Sequence, residues 1–567
     1  MSTLSPINPI HKAPSAAYWG TAAFLVLAPL MLVVFLQLVP PVIWDFSRDD
    51  WMKLNFSTWT AFVERSYYPP VSPFGWFAAP KIYLETLWPY LRQPPIGLPV
   101  SLHILVALTI AAGLSREITR RVRDEGPRCI TAEHVRGPRA LWGAAGEAAL
   151  ASAWRRDLRI SGPGVLLAPK LRLSRRLETE GLLLAGRPGS GKSAILEGVM
   201  AQALERGARV VALDVKGQLA ERLKTYHPHV LSLHAQGAVV WEIGRDLVSD
   251  ADADEFAACL VPASKDPVWA EGSRLILSAM AQALRARRGA AWGWTELYAL
   301  LSTPVEQLEP LILEFAPGMA RLLSARDEPG SFIVSLAFNL AAHVTATVRR
   351  FAAMEKAGAW KLSLRRWAGS AKGRRNPIVL HHDLQRRERS GALVQLVLRI
   401  VSGVLLGQEV RDGLDSDTWI FLDEIARLGR CEPLADLASL GRSRGIRLVM
   451  TVQSPAQLVD AYGAPGAEAL RENFATQVIC AMPPGDNAQR VAKDWIGDRV
   501  VREPSNQVAI GEKAQEWTLP ALSREEISGE LGLKYDLWGR PRIRAAVLSN
   551  GDVAVLDWSL RRWSRLG

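Results

Sequence analysis

Residues 182–199 read "LLLAGRPGSGKSAILEGV": an apolar run, a glycine-rich turn, then a helical pattern. Strand, loop and helix in that order are what a phosphate-gripping loop requires. The glycines let backbone N–H groups converge on phosphate oxygens, and the helix N-terminus adds its positive end. The segment fills G-x-x-x-x-G-K-S completely, with Gly186, Arg187, Pro188, Gly189, Ser190, Gly191, Lys192 and Ser193 as the candidate nucleotide-contacting residues. Lys192 is spaced to reach the β and γ phosphates, and the Ser193 hydroxyl to ligate magnesium. The expected cofactors are ATP and Mg2+.

Such a loop works with a carboxylate from the end of a second buried strand. "TWIFLDEIARLG" supplies one: Trp419–Leu422 read as strand, Asp423 is placed to hold the metal, and Glu424 to polarise an attacking water. Downstream, "IRLVMTVQ" reads as another buried parallel strand, with Gln453 at its carboxyl end, where an open α/β sheet presents groups to a ligand. A neutral amide there can sense a γ-phosphate without adding charge. Arg442 and Arg444 precede that strand and Arg447 lies at its start. Each suits an arginine reaching a neighbouring subunit's nucleotide, and each equally suits a solvated surface.

The chain has 567 residues, 49% apolar and 22% charged, which fits several folded units and excludes a disordered chain. The formal charge of +11 favours an acidic partner, nucleic acid or anionic lipid. Cys129, Cys259, Cys431 and Cys480 form no CxxC pair and read as reduced thiols, while His381 and His382 read as histidines at a strand end. The apolar surplus is concentrated near the N-terminus. Ala13 to Trp44 carries no charged side chain and exceeds a signal peptide's apolar region, and Gln93 to Ser115 is a second uncharged run. Arg116, Arg120, Arg121, Arg123 and Arg128 follow, so the positive-inside rule puts both termini in the cytoplasm.

Strand-like runs at 181–186, 208–214, 376–382, 419–422, 446–452 and 476–482 alternate with helical stretches. That pattern predicts an α/β fold, a RecA-like, doubly wound and mostly parallel sheet. The strand-poor region 246–345 predicts an inserted all-α domain. The boundaries expected are a cytoplasmic N-terminus over 1–16, transmembrane helices over 17–44 and 93–115, and a small periplasmic loop over 45–92. A basic linker is expected over 116–165, and the nucleotide-binding domain over 166–245 and 346–567. "WAGSAKGRRNP", residues 367–377, reads as an exposed basic connector.

With these residues assembled, the chain resembles the type IV coupling proteins, the TraD/TrwB-like ATPases of bacterial conjugation and type IV secretion. "GARVVALDVKGQLAERL" is similar to the family's second strand, ending here at Asp214 and Gly217, and "DPVWAEGSRLIL" (266–277) to the segment leading into its helical insertion. "LGRSRGIRLVMTVQSPAQLVDAYG" is similar to its run from arginine finger to glutamine sensor, which places those roles on Arg442 and Gln453. The resemblance implies a homo-hexameric inner-membrane ring. Its implied partners are DNA, single- or double-stranded and bound without sequence preference, a relaxase or relaxosome, and the proteins of a secretion channel. The longer members' acidic tail is not seen in this sequence, so docking through one is not expected. Two other readings stay open: a coupling protein for protein effectors, and a membrane scaffold switched by nucleotide.

Overall fold

The computed structural model describes residues 21–31, 42–45, 50–53, 94–125, 133–319, 329–369, 376–407, 417–502, 516–536, 538–549 and 551–560. The expected N-terminal segment, most of the 45–92 loop and the centre of the basic connector lie outside these. The chain forms two compact units, Met1–Ala132 with Leu141–Ala145, and Glu133–Ala140 with Gly146–Gly567.

In the first unit Thr21–Met31 is an apolar helix. The helix expected over 17–44 does not persist to its end, because Val42–Asp45 is a strand paired antiparallel with Asp50–Lys53. Pro40 and Pro41 precede it, and consecutive prolines stop a helix while Val42 and Ile43 favour a strand. The second apolar run is a helix from Pro94 to Glu125, longer at both ends than its apolar part. Prolines are tolerated in the first turn, where no N–H donor is needed. Leu102, Leu105, Leu108, Leu114 and Ile118 are exposed on it, whereas Ala107, Ala111 and Ser115 are buried.

Two further helices, Gly330–Lys356 and Leu384–Leu406, have the length and hydropathy of a membrane span. They belong to the second unit. Leu393, Val394, Leu396, Val397 and Val401 on the latter are buried, and a helix enclosed by protein is apolar for that reason.

The second unit is built on one sheet. Its strands in chain order are β1 (Leu182–Ala185), β2 (Arg209–Asp214), β3 (His229–Leu231), β4 (Ile378–His381), β5 (Thr418–Leu422), β6 (Ile446–Val452), β7 (Thr476–Ile479), β8 (Gly532–Tyr535), β9 (Pro541–Ser549) and β10 (Asp552–Ser559). Across the sheet they run β10-β9-β7-β1-β6-β5-β2-β4-β3, with β8 also on β9. From β7 to β3 every pairing is parallel; β8, β9 and β10 add an antiparallel flank. The parallel strands are buried throughout β1, β5, β6 and β7, as a sheet covered on both faces requires.

Of the stretch expected as a basic linker over 116–165, residues 133–165 are folded structure. Glu133–Arg136 pairs with Asp498–Arg502 in a small three-stranded sheet, and Trp154, on a helix over Gly143–Ser161, is fully buried with its indole N–H on Ser549. The all-α insertion also reaches past its expected limit at 345, since the Pro329–Lys356 helix crosses it. Val240–Trp241 going out and Lys361–Leu362 coming back pair as a neck. Beside that neck the buried Asp246 carboxylate accepts from the Trp241 indole, the Ser363 hydroxyl and the Leu364 and Arg365 N–H groups. A Trp294–Phe351 stack at 4.5 Å lies in the core of the insertion.

Under the N-terminal ends of the strands lies a buried charge cluster. Arg447, at 0% exposure, donates to Glu178 at 2.8 Å and faces Asp417 at 3.4 Å; Arg206 binds both acids, and the Trp419 ring lies against both guanidiniums. Arg447 therefore cannot reach a neighbouring subunit. Arg447→Ala leaves buried carboxylates short of charge and should cost about 3–5 kcal/mol. Arg442→Ala, removing an exposed ion pair, should cost at most ~1 kcal/mol. Thermal unfolding of the two variants side by side checks this; equal melting temperatures would contradict it.

Candidate nucleotide-binding site

The P-loop leaves β1 at the carboxyl edge of the sheet and runs into helix α1, Lys192–Glu205. Its stem is fixed by neighbouring strands: Gly186 N–H donates to the Val452 carbonyl and Arg187 N–H to that of Ala481. The first N–H groups of α1 have no partner within the helix and face the loop. Two glycines are sterically required. A Cβ on Gly186 would stand 2.8 Å from Cys480 Cβ, and Gly191, at φ +104°, would drive one to 2.5 Å from Ile543 on β9. The antiparallel flank thus presses against the loop from below, a role that no motif in the sequence announces. Burial pushes the Cys480 thiol up to about 12, so it packs as a neutral group.

Lys192 is buried and its ammonium donates to the Gly186 carbonyl and to Arg187 O at 3.1 Å. Burial pulls its pKa below that of an ordinary lysine, against the opposing pull of Asp423 and Glu424. The parallel register sets Leu422 beside Met450, so the next residues, Asp423 and Thr451, meet. Thr451 Oγ donates to Asp423 Oδ1 at 2.6 Å and accepts from Glu424 N–H at 2.8 Å. The other Asp423 oxygen lies 3.4 Å from Ser193 Oγ. A hydroxyl and a carboxylate oxygen so close together, next to a lined phosphate cradle, are a donor set suited to magnesium. Among the described residues no group of three His, Cys, Asp or Glu side chains gathers for a metal.

Glu424 has φ +51°, a left-handed conformation rare for a non-glycine residue. Its carboxylate accepts from Arg427 at 2.6 Å, and Gln453 is among the groups that favour its charged form. Burial raises its pKa, but Arg427, Gln453 and Lys216 more than offset that and hold the carboxyl below the usual glutamate value. It is ionised at neutral pH and tethered. Gln453 sits just past β6, its N–H and amide both against Gln457.

Lys192, Ser193, Asp423, Glu424 and Gln453 therefore lie together at the carboxyl edge of the sheet. Arg442 does not. It pairs with Glu180 at 2.6 Å, ahead of the first residue of β1, so the length of the strand, about 13 Å, separates it from its own P-loop. Thr451 and Lys216 belong to the site but are not among the expected site residues: a threonine in an apolar strand and a lysine in a turn give no spacing signal.

A family model for the type IV secretion-system coupling protein DNA-binding domain matches residues 165–554. The coupling protein TraD of Escherichia coli (strain K12) is 25% identical over 350 residues, 60% of this chain and 47% of TraD, so the chain spans about half the length of that relative. The bacterial conjugative coupling protein TrwBΔN70, in its unbound monoclinic form, superposes with a TM-score of 0.60 at 20% identity over 76% of this chain and 95% of that one. TrwB in complex with ADP and Mg2+ superposes with a TM-score of 0.58 at 20% identity, again over 76% and 95%. These structural matches show the RecA-like fold.

Glu424→Gln should leave nucleotide affinity within about twofold and lower turnover by roughly 10²-fold or more, as loss of a general base does. Gly191→Ala, by contrast, should abolish binding. Equilibrium nucleotide binding and phosphate release on the same samples separate the two effects.

Proposed function

This chain belongs to the type IV secretion-system coupling proteins, and on that premise we propose that it is an inner-membrane ATPase delivering DNA to a type IV secretion channel. What carries the reading is the meeting of Lys192, Ser193, Asp423, Glu424 and Gln453 at one edge of a RecA-like sheet, in a chain whose matched domain is described as DNA-binding.

The cargo is a DNA strand with its attached relaxase. The P-loop N–H groups and Lys192 bind the β and γ phosphates. Ser193 and Asp423 would hold magnesium, which would neutralise charge on the phosphate oxygens. Glu424 accepts the proton of the attacking water, and Gln453 reports the γ-phosphate. Arg442, out of reach of its own nucleotide, serves the neighbour's, so the working form is an oligomer, and the family resemblance makes it a ring of six.

The exposed leucines of the Pro94–Glu125 helix and the apolar Thr21–Met31 helix anchor the chain in the membrane, with the arginines after Ser115 on the cytoplasmic side. The net charge of +11 suits phosphate contacts without sequence reading.

If DNA is the cargo, single- or double-stranded DNA should raise the ATPase rate of the purified protein at 50 mM salt. That stimulation should fall steeply by about 200 mM as phosphate contacts weaken. A rate indifferent to DNA at every salt concentration would favour protein effectors. Mixed rings test the arginine: Arg442→Ala subunits should regain activity when combined with Lys192→Ala subunits, and a mixture as inactive as its parts would exclude action between subunits.

A further inference from the structure

Lys216 lies in the turn after β2, between Asp214 and Gly217, and its ammonium stands among the groups suited to a metal. Its Nζ donates to Ser193 Oγ at 3.2 Å and lies 3.8 Å from Asp423 Oδ2. These are the two side chains that would hold magnesium. The hydrogen bonds of the Lys192 ammonium go instead to the loop carbonyls.

The backbone that carries Lys216 is held firmly. Asp214 Oδ1 accepts from the N–H groups of Lys216 and Gly217 at 3.1 and 2.8 Å, and Oδ2 from Leu219 N–H at 2.8 Å. Gly217 has φ +69°, and a side chain there would meet His381 Nε2 at 3.3 Å. The turn is fixed, but the Lys216 side chain is 50% exposed, on a flexible four-carbon stem. Its base cannot move away and its tip can.

We propose that Lys216 is the exchangeable cation of the nucleotide site. Before nucleotide arrives, its ammonium holds Ser193 and Asp423 together. A metal–nucleotide complex takes that place and displaces the ammonium onto the terminal phosphate. Two cations cannot share the Ser193–Asp423 pair at this range without strong repulsion, so binding the metal forces the ammonium out. The fixed turn keeps it nearby, and the one new anion that ATP offers and ADP lacks is the γ-phosphate. Lys216 would therefore favour ATP over ADP and set the magnesium concentration at which nucleotide binds. This inference rests on the nucleotide-site reading above.

The test is equilibrium binding of fluorescent ADP and of a non-hydrolysable ATP analogue to the detergent-purified full-length protein, with Mg2+ titrated. Lys216→Met should lower the preference for the ATP analogue over ADP about tenfold, the size of one contact to a charged group. It should also lower the Mg2+ needed for half-maximal ADP binding. Lys216→Arg, which keeps the charge, should restore the preference. A Lys216→Met protein with the wild-type preference and the wild-type Mg2+ requirement overturns the proposal while leaving the nucleotide site intact. A wild-type protein that binds neither nucleotide overturns both.

Discussion

The site depends on one parallel register. Leu422 lies beside Met450 and Met450 beside Leu183, which puts Asp423, Thr451 and the approach to the P-loop on one line across β5, β6 and β1. A slip by one residue would turn Thr451 away from Asp423 and put apolar side chains on the wrong face. The bond from Thr451 Oγ to Asp423 Oδ1 fixes the carboxylate within that register, and the same hydroxyl receives the N–H of Glu424 in its left-handed conformation. Backbone strain at a site persists only where surroundings over-determine it, and here two hydrogen bonds and an ion pair do so. At the other end of the same strands, Arg447, Glu178 and Asp417 tie the N-terminal edge together. β6 is thus pinned at both ends, by a buried charge cluster and by the hydroxyl that aims the acid.

The charged side chains of the site are paired with one another. Each acidic group has a temporary cation: Lys216 near Asp423, and Arg427 on Glu424. Lys192 points into its own loop. Nucleotide binding would thus exchange partners rather than create charges, and the energy of the incoming phosphates is offset by contacts given up.

Much of this was legible in sequence because buried parallel strands appear as short apolar runs, and the P-loop and Asp423–Glu424 stand at their ends. β1, β2, β4, β5, β6 and β7 all fall on such runs. What stayed hidden involves partners distant along the chain. Glu133–Arg136 joins Asp498–Arg502 and Glu516–Pro520 in one small sheet, and β9 supplies the Ile543 wall under Gly191. No local pattern reports such pairings. Arg447 did carry a signal: an arginine in "GIRLVM", between residues that all face the interior, can only be a buried ion pair. Grouped with Arg442 and Arg444 it suits a finger, whereas read by its strand it cannot be one.

The central claim, that phosphate-bond cleavage at this site drives DNA across the membrane, meets its most direct test in the transfer frequency of cells whose only coupling protein carries Glu424→Gln. The protein should reach the membrane, bind ATP and recruit its cargo, yet transfer should fall to the level of cells lacking it. Transfer at the wild-type frequency would contradict the account and leave nucleotide as a conformational switch.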